Sequence, residues 1–142
     1  MLAHCLPGLL PQLTDELALE VAQVWSAAGR PRTGLRTPPI RAPHHTATNA
    51  PLVGGGSGTP VPGELSLAHR GVLLLDELGE FPPNLLDSLR QPLENGYVTI
   101  ARKGVSVRFP STVQLIAATN PCPCGYLGDQ REPCRCTPRM LE

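Results

Sequence analysis

The chain has 142 residues, enough for one domain with a modest hydrophobic core. Its 12 basic residues balance its 12 acidic ones, which excludes a strong overall attraction to nucleic acid or to an anionic membrane. No stretch approaches the roughly 18 apolar residues of a membrane span, and the N-terminus lacks the charged start of a signal peptide. We therefore expect a cytoplasmic protein that does not contact membranes.

The first 63 residues predict helices and loops. Residues 1–13 are apolar and predict a helix whose beginning lies before residue 1. Residues 14–29 predict an amphipathic helix, because a threonine cap precedes apolar residues that recur at helical spacing. The arginine- and proline-rich stretch 30–43 predicts a solvated loop that leads to a short strand within 40–46. The glycine-rich run 53–63 predicts a mobile surface loop that does not pack.

The remaining residues predict an α/β fold. The apolar run 71–76 predicts a parallel strand buried on both faces, and prolines at one end and a glycine at the other bound a helix over 82–96. Alternating residues over 97–109 predict a β-hairpin, and a second buried strand is expected over 113–119. We expect a parallel sheet with flanking helices, a β-hairpin insertion and, from residue 121 on, a cysteine-rich loop.

Two carboxylates follow the first of these buried strands. Asp76 and Glu77 end the apolar run, and Asn120 ends the second buried strand, so all three should lie at the edge of the sheet where ligands bind. An apolar strand that closes on Asp-Glu is the Walker B arrangement, in which the Asp holds Mg²⁺ and the Glu activates the water that attacks the γ-phosphate of ATP. Asn120 would hydrogen-bond the same water or the phosphate. The alternative is a surface turn that happens to be acidic.

The other half of an ATPase site is missing from the sequence. A Walker A loop needs GxxxxGK[ST], and the only lysine is Lys103, which lies in the predicted hairpin turn. We therefore expect that the chain starts just after its P-loop. On this interpretation the 142 residues alone have little or no ATPase activity.

Five segments carry a resemblance to a known family. They are RAPHHTAT (41–48), LVGGGS (52–57), PGELSLAHRGVLLLDEL (62–78), LRQPLENGYVTIAR (89–102) and ATNPCPCGYLGD (118–129). Together they resemble the Mg-chelatase-like AAA+ ATPases, in particular the competence-associated, ComM-type branch.

The resemblance implies a partial AAA+ P-loop-type core and assigns its parts. Asp76 and Glu77 would be Walker B, and Asn120 would be the sensor 1 residue. The implied parts of the truncated core 1–142 are helices after the missing P-loop (1–29), an insertion in the second helix (40–66), the Walker B strand (71–77), the pre-sensor 1 hairpin (97–109), the sensor 1 strand (113–120) and a cysteine-rich loop (121–137).

The resemblance also implies partners for a complete protein. It implies a hexameric DNA helicase or branch-migration motor that uses ATP and Mg²⁺, whereas these 142 residues alone are expected to be monomeric. One alternative is the ATPase subunit of magnesium chelatase. Its members tend to carry an acidic, cysteine-free stretch after the sensor Asn, where this chain has PCPCGYLGD.

The cysteines form a CxC-x9-CxC set made of Cys122, Cys124, Cys134 and Cys136. Four thiolates at such short spacing can enclose a structural Zn²⁺, although CxC is tighter than the usual CxxC. Reduced free thiols and disulfides are the alternatives. A zinc-stabilised interaction module without catalysis is accordingly a second alternative function.

Basic and imidazole side chains give weaker signals. Arg102, Lys103 and Arg108 make the hairpin locally basic, so it could follow the phosphates of DNA, or it could be an ordinary solvated turn. His44 and His45 should point to opposite faces of a strand and so should not share a metal ion. For these two residues and for His69, positioning by hydrogen bonds is favoured.

Overall fold

A computed structural model describes residues 8–56, 58–102 and 104–140. The helices are α1 (Asp15–Ala27), α2 (Asn49–Val53), α3 (Glu64–Leu67) and α4 (Pro83–Asn95). The strands are β1 (Ile40–Arg41), β2 (Gly54–Gly55), β3 (Val61–Pro62), β4 (Val72–Leu75), β5 (Tyr97–Arg102), β6 (Val105–Pro110) and β7 (Gln114–Ala117). Single turns of 3-10 helix occur at Leu78–Glu80 and Pro138–Met140. None of the helices in these ranges has the length and apolar character needed to cross a bilayer.

Within the described ranges, β1, β4 and β7 form a parallel sheet in the order β1-β4-β7. The predicted mixed α/β fold with a parallel sheet is therefore correct. β4 lies in the middle, and all four of its side chains are buried. Leu73 pairs with Leu115 and Leu75 pairs with Ala117, so β4 and β7 end together at the same edge of the sheet.

The second predicted buried strand is only partly as expected. β7 spans Gln114–Ala117, which is shorter than 113–119, and it lies at the edge of the sheet in the described part of the chain. Gln114, Leu115 and Ala117 are exposed. The prediction of burial was wrong because an apolar run has the same sequence pattern in a central strand and in an edge strand.

The main core is built between β4, α4 and the hairpin. α4 begins with Pro83, whose missing N–H costs nothing in a first helical turn, and it ends where Gly96 adopts a left-handed φ of 75°. β5 and β6 form an antiparallel hairpin in which Val98 lies opposite Phe109. The core residues are Leu52, Leu65, Ala68, Leu73, Leu75, Phe81, Leu85, Leu89, Val98, Ile100 and Phe109.

The N-terminal helix prediction holds for α1 but not for the residues before it. The Thr14 hydroxyl accepts a hydrogen bond from the Leu17 N–H at 3.4 Å, as a helix cap should. Residues 8–14 are not a continuous helix. Leu13 donates its N–H to the Arg36 carbonyl, 2.8 Å away, and Pro11 has no N–H to give. Residues 1–7 of that predicted helix lie outside the described residues.

The two ends of the glycine-rich run are packed, contrary to the prediction of a loop that does not pack. β2 and β3 pair as a short antiparallel ribbon between 54 and 62. A Cβ added to Gly63 would lie 2.5 Å from the Leu52 carbonyl oxygen, so the glycine permits close contact between backbones. The prediction failed because a residue without a side chain allows two backbones to pack closely, and not only a flexible loop.

The arginine-rich stretch is also ordered by contacts. The guanidinium groups of Arg32 and Arg41 lie over the Trp25 ring, 5.7 and 5.6 Å from its centroid. Arg41 and Arg30 both pair with Glu64. The expected solvated loop is therefore held against α1 and α3, and the strand expected within 40–46 is limited to Ile40–Arg41.

Candidate functional site

The predicted site residues lie at the edge of the sheet where β4 and β7 end. Asp76 is half-buried and Glu77 is exposed. The Ala118 N–H donates to the Leu75 carbonyl at 2.9 Å, and the Leu78 N–H donates to the Ala118 carbonyl at 2.8 Å. The two chain segments therefore remain joined beyond the strands, and this holds Glu77 beside the residues that follow β7.

A cavity of about 310 Å³ opens at this edge. It is lined by Glu77, Gly79, Glu80, Thr119, Asn120, Pro121, Cys122, Pro123 and Met140. The structure thus brings the predicted Glu77 and Asn120 to one cavity. Asp76 does not line it, and the Asp76 Oδ1 accepts the Glu77 N–H at 3.0 Å.

Glu77 has an unusual backbone and a partner that sequence reasoning missed. Its φ of 55° and ψ of 51° are left-handed, a conformation that costs a non-glycine residue about 1–2 kcal/mol. The His45 Nδ1 lies 3.2 Å from the Glu77 Oε2. Strained residues of this kind cluster at functional sites.

The expected separation of the two histidines was wrong. His44 and His45 lie in a turn rather than a strand, and their ring centroids are 4.0 Å apart. β1 is parallel to β4, so the residues after both strands emerge at the same edge of the sheet, and this brings His45 to Glu77.

The four cysteines of the C-terminal loop converge. The Cys122 Sγ lies 3.4 Å from the Cys124 Sγ and 3.7 Å from the Cys134 Sγ, and the Cys124 and Cys134 sulfurs are 3.6 Å apart. With Cys136 included, all four sulfurs lie within 4.8 Å of one another. Four Zn–S bonds of about 2.3 Å in a tetrahedron separate the sulfurs by about 3.8 Å, so the cluster fits this metal. None of the four forms a disulfide, and their positions show that CxC spacing does not prevent convergence.

The thiols differ in acidity. Backbone N–H groups of Tyr126 and Arg135 donate to the Cys124 sulfur and lower its pKa to about 6. The backbone hydrogen bond from Cys124 lowers the pKa of Cys136, but burial and the neighbouring sulfurs outweigh it and raise that pKa to about 12. A cation is needed to balance the charge if all four of these neighbouring groups are to be thiolates.

Of the three predicted basic residues, the structure describes Arg102 and Arg108, and it places them on opposite sides of the hairpin. Arg102 lies at the hairpin tip on the same side as Val98 and Ile100, by strand alternation. Arg108 projects from the opposite side and stacks over the Tyr97 ring at 4.1 Å. Lys103 lies outside the described residues.

His69 has the expected role in hydrogen bonding. It is 2% exposed, its Nδ1 accepts the Thr112 N–H at 3.1 Å, and its Nε2 faces the Glu20 Oε2 at 3.3 Å. Burial lowers the pKa of His69, which favours the neutral ring. A cavity of about 490 Å³ beside it is also lined by Arg70 and Arg108, at the end of the sheet away from Glu77.

Comparison with known proteins identifies relatives along the whole chain. The sequence model of the family described as magnesium chelatase, subunit ChlI, matches residues 1–142. The chain is 50% identical to the competence protein ComM of Haemophilus influenzae over 128 residues, which is 89% of this chain and 25% of that protein. It is 47% identical to YifB of Escherichia coli over 143 aligned positions, which cover 99% of this chain and 28% of YifB.

Similarity to a magnesium-chelatase subunit is more limited. The ChlI subunit of Pyropia yezoensis is 38% identical over 66 residues, covering 46% of this chain and 19% of that subunit. The chain spans about a quarter of the length of ComM and YifB. It belongs to the magnesium chelatase subunit ChlI family and is similar to ComM and YifB over most of its length.

Proposed function

We propose that this chain is part of the ATP-binding and ATP-hydrolysing module of a longer Mg-chelatase-like AAA+ protein. The observation that carries the proposal is the convergence of Glu77 and Asn120 on one cavity at the carboxyl edge of a parallel sheet. Ligands of open α/β sheets bind at this edge. Membership of the ChlI family supports the same class of ligand.

Each residue has a role in this proposal. Asp76 offers hard carboxylate oxygens of the type that Mg²⁺ prefers, and the ion when bound would neutralise charge on the phosphates. The Glu77 carboxylate accepts a proton from the attacking water and orients it. The Asn120 amide donates to a phosphate oxygen while its carbonyl can accept from the same water.

The test is a glutamate substitution in the full-length protein that contains this chain. Glu77→Gln should lower ATP hydrolysis at least about 100-fold, because it removes a general base, while ATP binding persists. Glu80→Gln is the matched control, since Glu80 lines the same cavity and carries the same group. Equal losses from both variants, or hydrolysis by Glu77→Gln at the wild-type rate, would contradict the assignment.

For the full-length protein we propose a homohexameric motor that acts on DNA, as the resemblance to the ComM-type branch implies; the chain is similar to ComM over 89% of its length. The candidate contact to DNA phosphates is the hairpin through Arg102 and Lys103, since Arg108 lies on the opposite side over Tyr97. Stimulation of ATPase activity by branched DNA, weakened by Arg102→Ala and by rising salt, is the expected result. The match to a chelatase subunit supports the alternative, which predicts stimulation by a porphyrin instead.

We further propose that Cys122, Cys124, Cys134 and Cys136 hold a structural Zn²⁺. Their sulfur separations, close to those of a tetrahedral site, support it. Metal analysis of the purified chain should give about one zinc per molecule, since one ion takes all four thiolates. Cys122→Ser combined with Cys134→Ser should remove it.

A further inference from the structure

We infer that the four-cysteine centre positions the hydrolytic site: the metal it holds keeps Asn120 and one wall of the cavity in place. The inference rests on the proposed function, because it assigns a positioning role toward the same cavity. It adds that metal occupancy controls the rate of ATP hydrolysis.

The cavity and the cysteine cluster share a wall. Cys122 lines the cavity together with Glu77 and Asn120, and its sulfur is also one corner of the cluster. Only Pro121 separates Asn120 from Cys122 along the chain, and proline fixes its own φ near −65°. The link between Cys122 and Asn120 is therefore short and partly rigid, so a displacement of the Cys122 backbone is transmitted to Asn120.

Asn120 depends on the backbone for its position. In the part of the chain that the structure describes, the side-chain amide of Asn120 has no hydrogen-bond partner. The backbone carbonyl of Asn120 accepts a hydrogen bond from the Thr119 hydroxyl at 3.3 Å. On one side it is held by β7, whose pairing to β4 extends to Ala118. On the other side it is held by the loop that contains the cysteines.

The loop has no core other than the cysteines. Over residues 121–140, Cys122 is buried, the other three cysteines are half-buried, and every remaining residue is exposed. The backbone hydrogen bonds within 121–132 are local turns, such as Gly125 N–H to the Cys122 carbonyl at 2.9 Å. The returning segment at Cys134 and Cys136 meets the start of the loop through sulfur atoms. A bound metal therefore holds in place the backbone that follows Asn120.

The experiment uses the full-length protein and changes Cys134, which does not line the cavity. Cys134→Ala should lose the zinc and lower kcat about 10- to 100-fold, the size expected when a reacting group is misplaced by about 1 Å. The KM for ATP should change less than about threefold, because groups elsewhere bind most of the nucleotide. Cys134→His should retain the metal and restore kcat, since histidine is also a zinc ligand.

A spectroscopic measurement tests the coupling without relying on turnover. Cobalt(II) in place of zinc gives visible bands that report the geometry of a tetrahedral thiolate site. Adding a non-hydrolysable ATP analogue with Mg²⁺ should shift these bands in the wild-type protein, and Asn120→Ala should lose the shift. This readout remains decisive even where Cys134→Ala fails to fold.

The outcomes separate the two proposals. Three results would each overturn the inference. They are a wild-type kcat in zinc-free Cys134→Ala, the absence of bound metal in the wild-type protein, and cobalt bands that do not change when the nucleotide is added. The hydrolytic role of Glu77 would survive those results. Undiminished hydrolysis by Glu77→Gln would overturn the proposed function itself.

Discussion

The residues on either side of β4 show how a buried strand can be bounded by charges. Arg70 precedes the strand with Gly71 between them, and Glu77 follows it after Asp76. In the described ranges these two are the non-glycine residues with positive φ, at 61° and 55°. Each left-handed turn directs its charged side chain away from the apolar interior. The Arg70 guanidinium then pairs with Glu20 at 3.0 Å, and the Glu77 carboxylate lies beside His45.

The strain at Glu77 predicts a stability difference between two substitutions. Glu77→Gly should raise the free energy of unfolding by about 1 kcal/mol relative to Glu77→Ala, because glycine adopts a left-handed conformation without steric cost. Both variants lose the His45 contact, so the comparison isolates the backbone. Urea unfolding of the two variants measures it, and equal stabilities would show that φ at 77 is not strained.

The burial of His69 predicts that stability depends on pH. Its pKa is lowered in the folded chain from 6.5, so the unfolded chain binds more protons and stability rises with pH. The stability that the lowered pKa of His69 contributes is fully present above about pH 6.5 and is lost as the pH falls below that value. Protonation also breaks the bond from the Thr112 N–H, since Nδ1 can no longer accept.

Urea midpoints at pH 7.5 and pH 5.5 test this, with His69→Gln as the comparison. The wild type should lose stability at the lower pH, and His69→Gln should lose less. Glu20, whose pKa is lowered mainly by its hydrogen bond to Arg70, adds a further loss only below its ordinary value of 4.5. A wild-type midpoint that rises on acidification would refute the assignment.

At the scale of elements, two glycines permit close contact between backbones. Gly63 lets the β2–β3 ribbon approach the end of α2, and Gly71 lets β4 begin beside Pro39. A Cβ on Gly71 would lie 1.9 Å from the Pro39 carbonyl oxygen, which itself accepts the Val72 N–H at 2.9 Å. The pairing of β1 with β4 therefore depends on the absence of a side chain.

Gly71→Ala should destabilise the chain by about 2 kcal/mol or more, because overpacking against a backbone atom forces strands apart. Gly58→Ala is the matched control, as nothing lies within 4 Å of its added Cβ. Thermal unfolding of the two variants provides the measurement. A Gly71→Ala chain as stable as Gly58→Ala would mean that β1 does not pack as described.

At the scale of the whole molecule, the strands of the sheet in the described residues differ in burial: β4 is buried between β1 and β7, and β7 lies at an edge. Leu73 is fully buried at the centre, whereas Leu115, its partner in the neighbouring strand, is 41% exposed. Exposed apolar side chains are unusual on the edge strand of a folded protein.

Leucine substitutions in β4 and β7 measure how differently the two strands are buried. Leu73→Ala should cost about 2–5 kcal/mol of unfolding free energy, since it leaves a cavity in the core. Leu115→Ala should cost less than about 1 kcal/mol in this chain, because surface positions rarely cost more. Similar losses at both positions would show that β7 is covered in solution.

The sequence by itself determined the elements that carry local signals. The Thr14 cap, the Pro83 start and Gly96 end of α4, and the apolar run of β4 each depend on neighbours a few residues away. Such signals act on the backbone before any tertiary contact forms. The family followed from motifs for the same reason, because each motif is contiguous in the chain.

Tertiary structure decided the features that join distant segments. Burial of β4 but not of β7, the pairing of His45 with Glu77 and the convergence of the four sulfurs all depend on which segments meet in space. Arg102 and Arg108 lie close in sequence, yet strand alternation separates them. An apolar run, a histidine or a cysteine has the same identity whether it faces solvent or a partner, and only the packed chain determines which it faces.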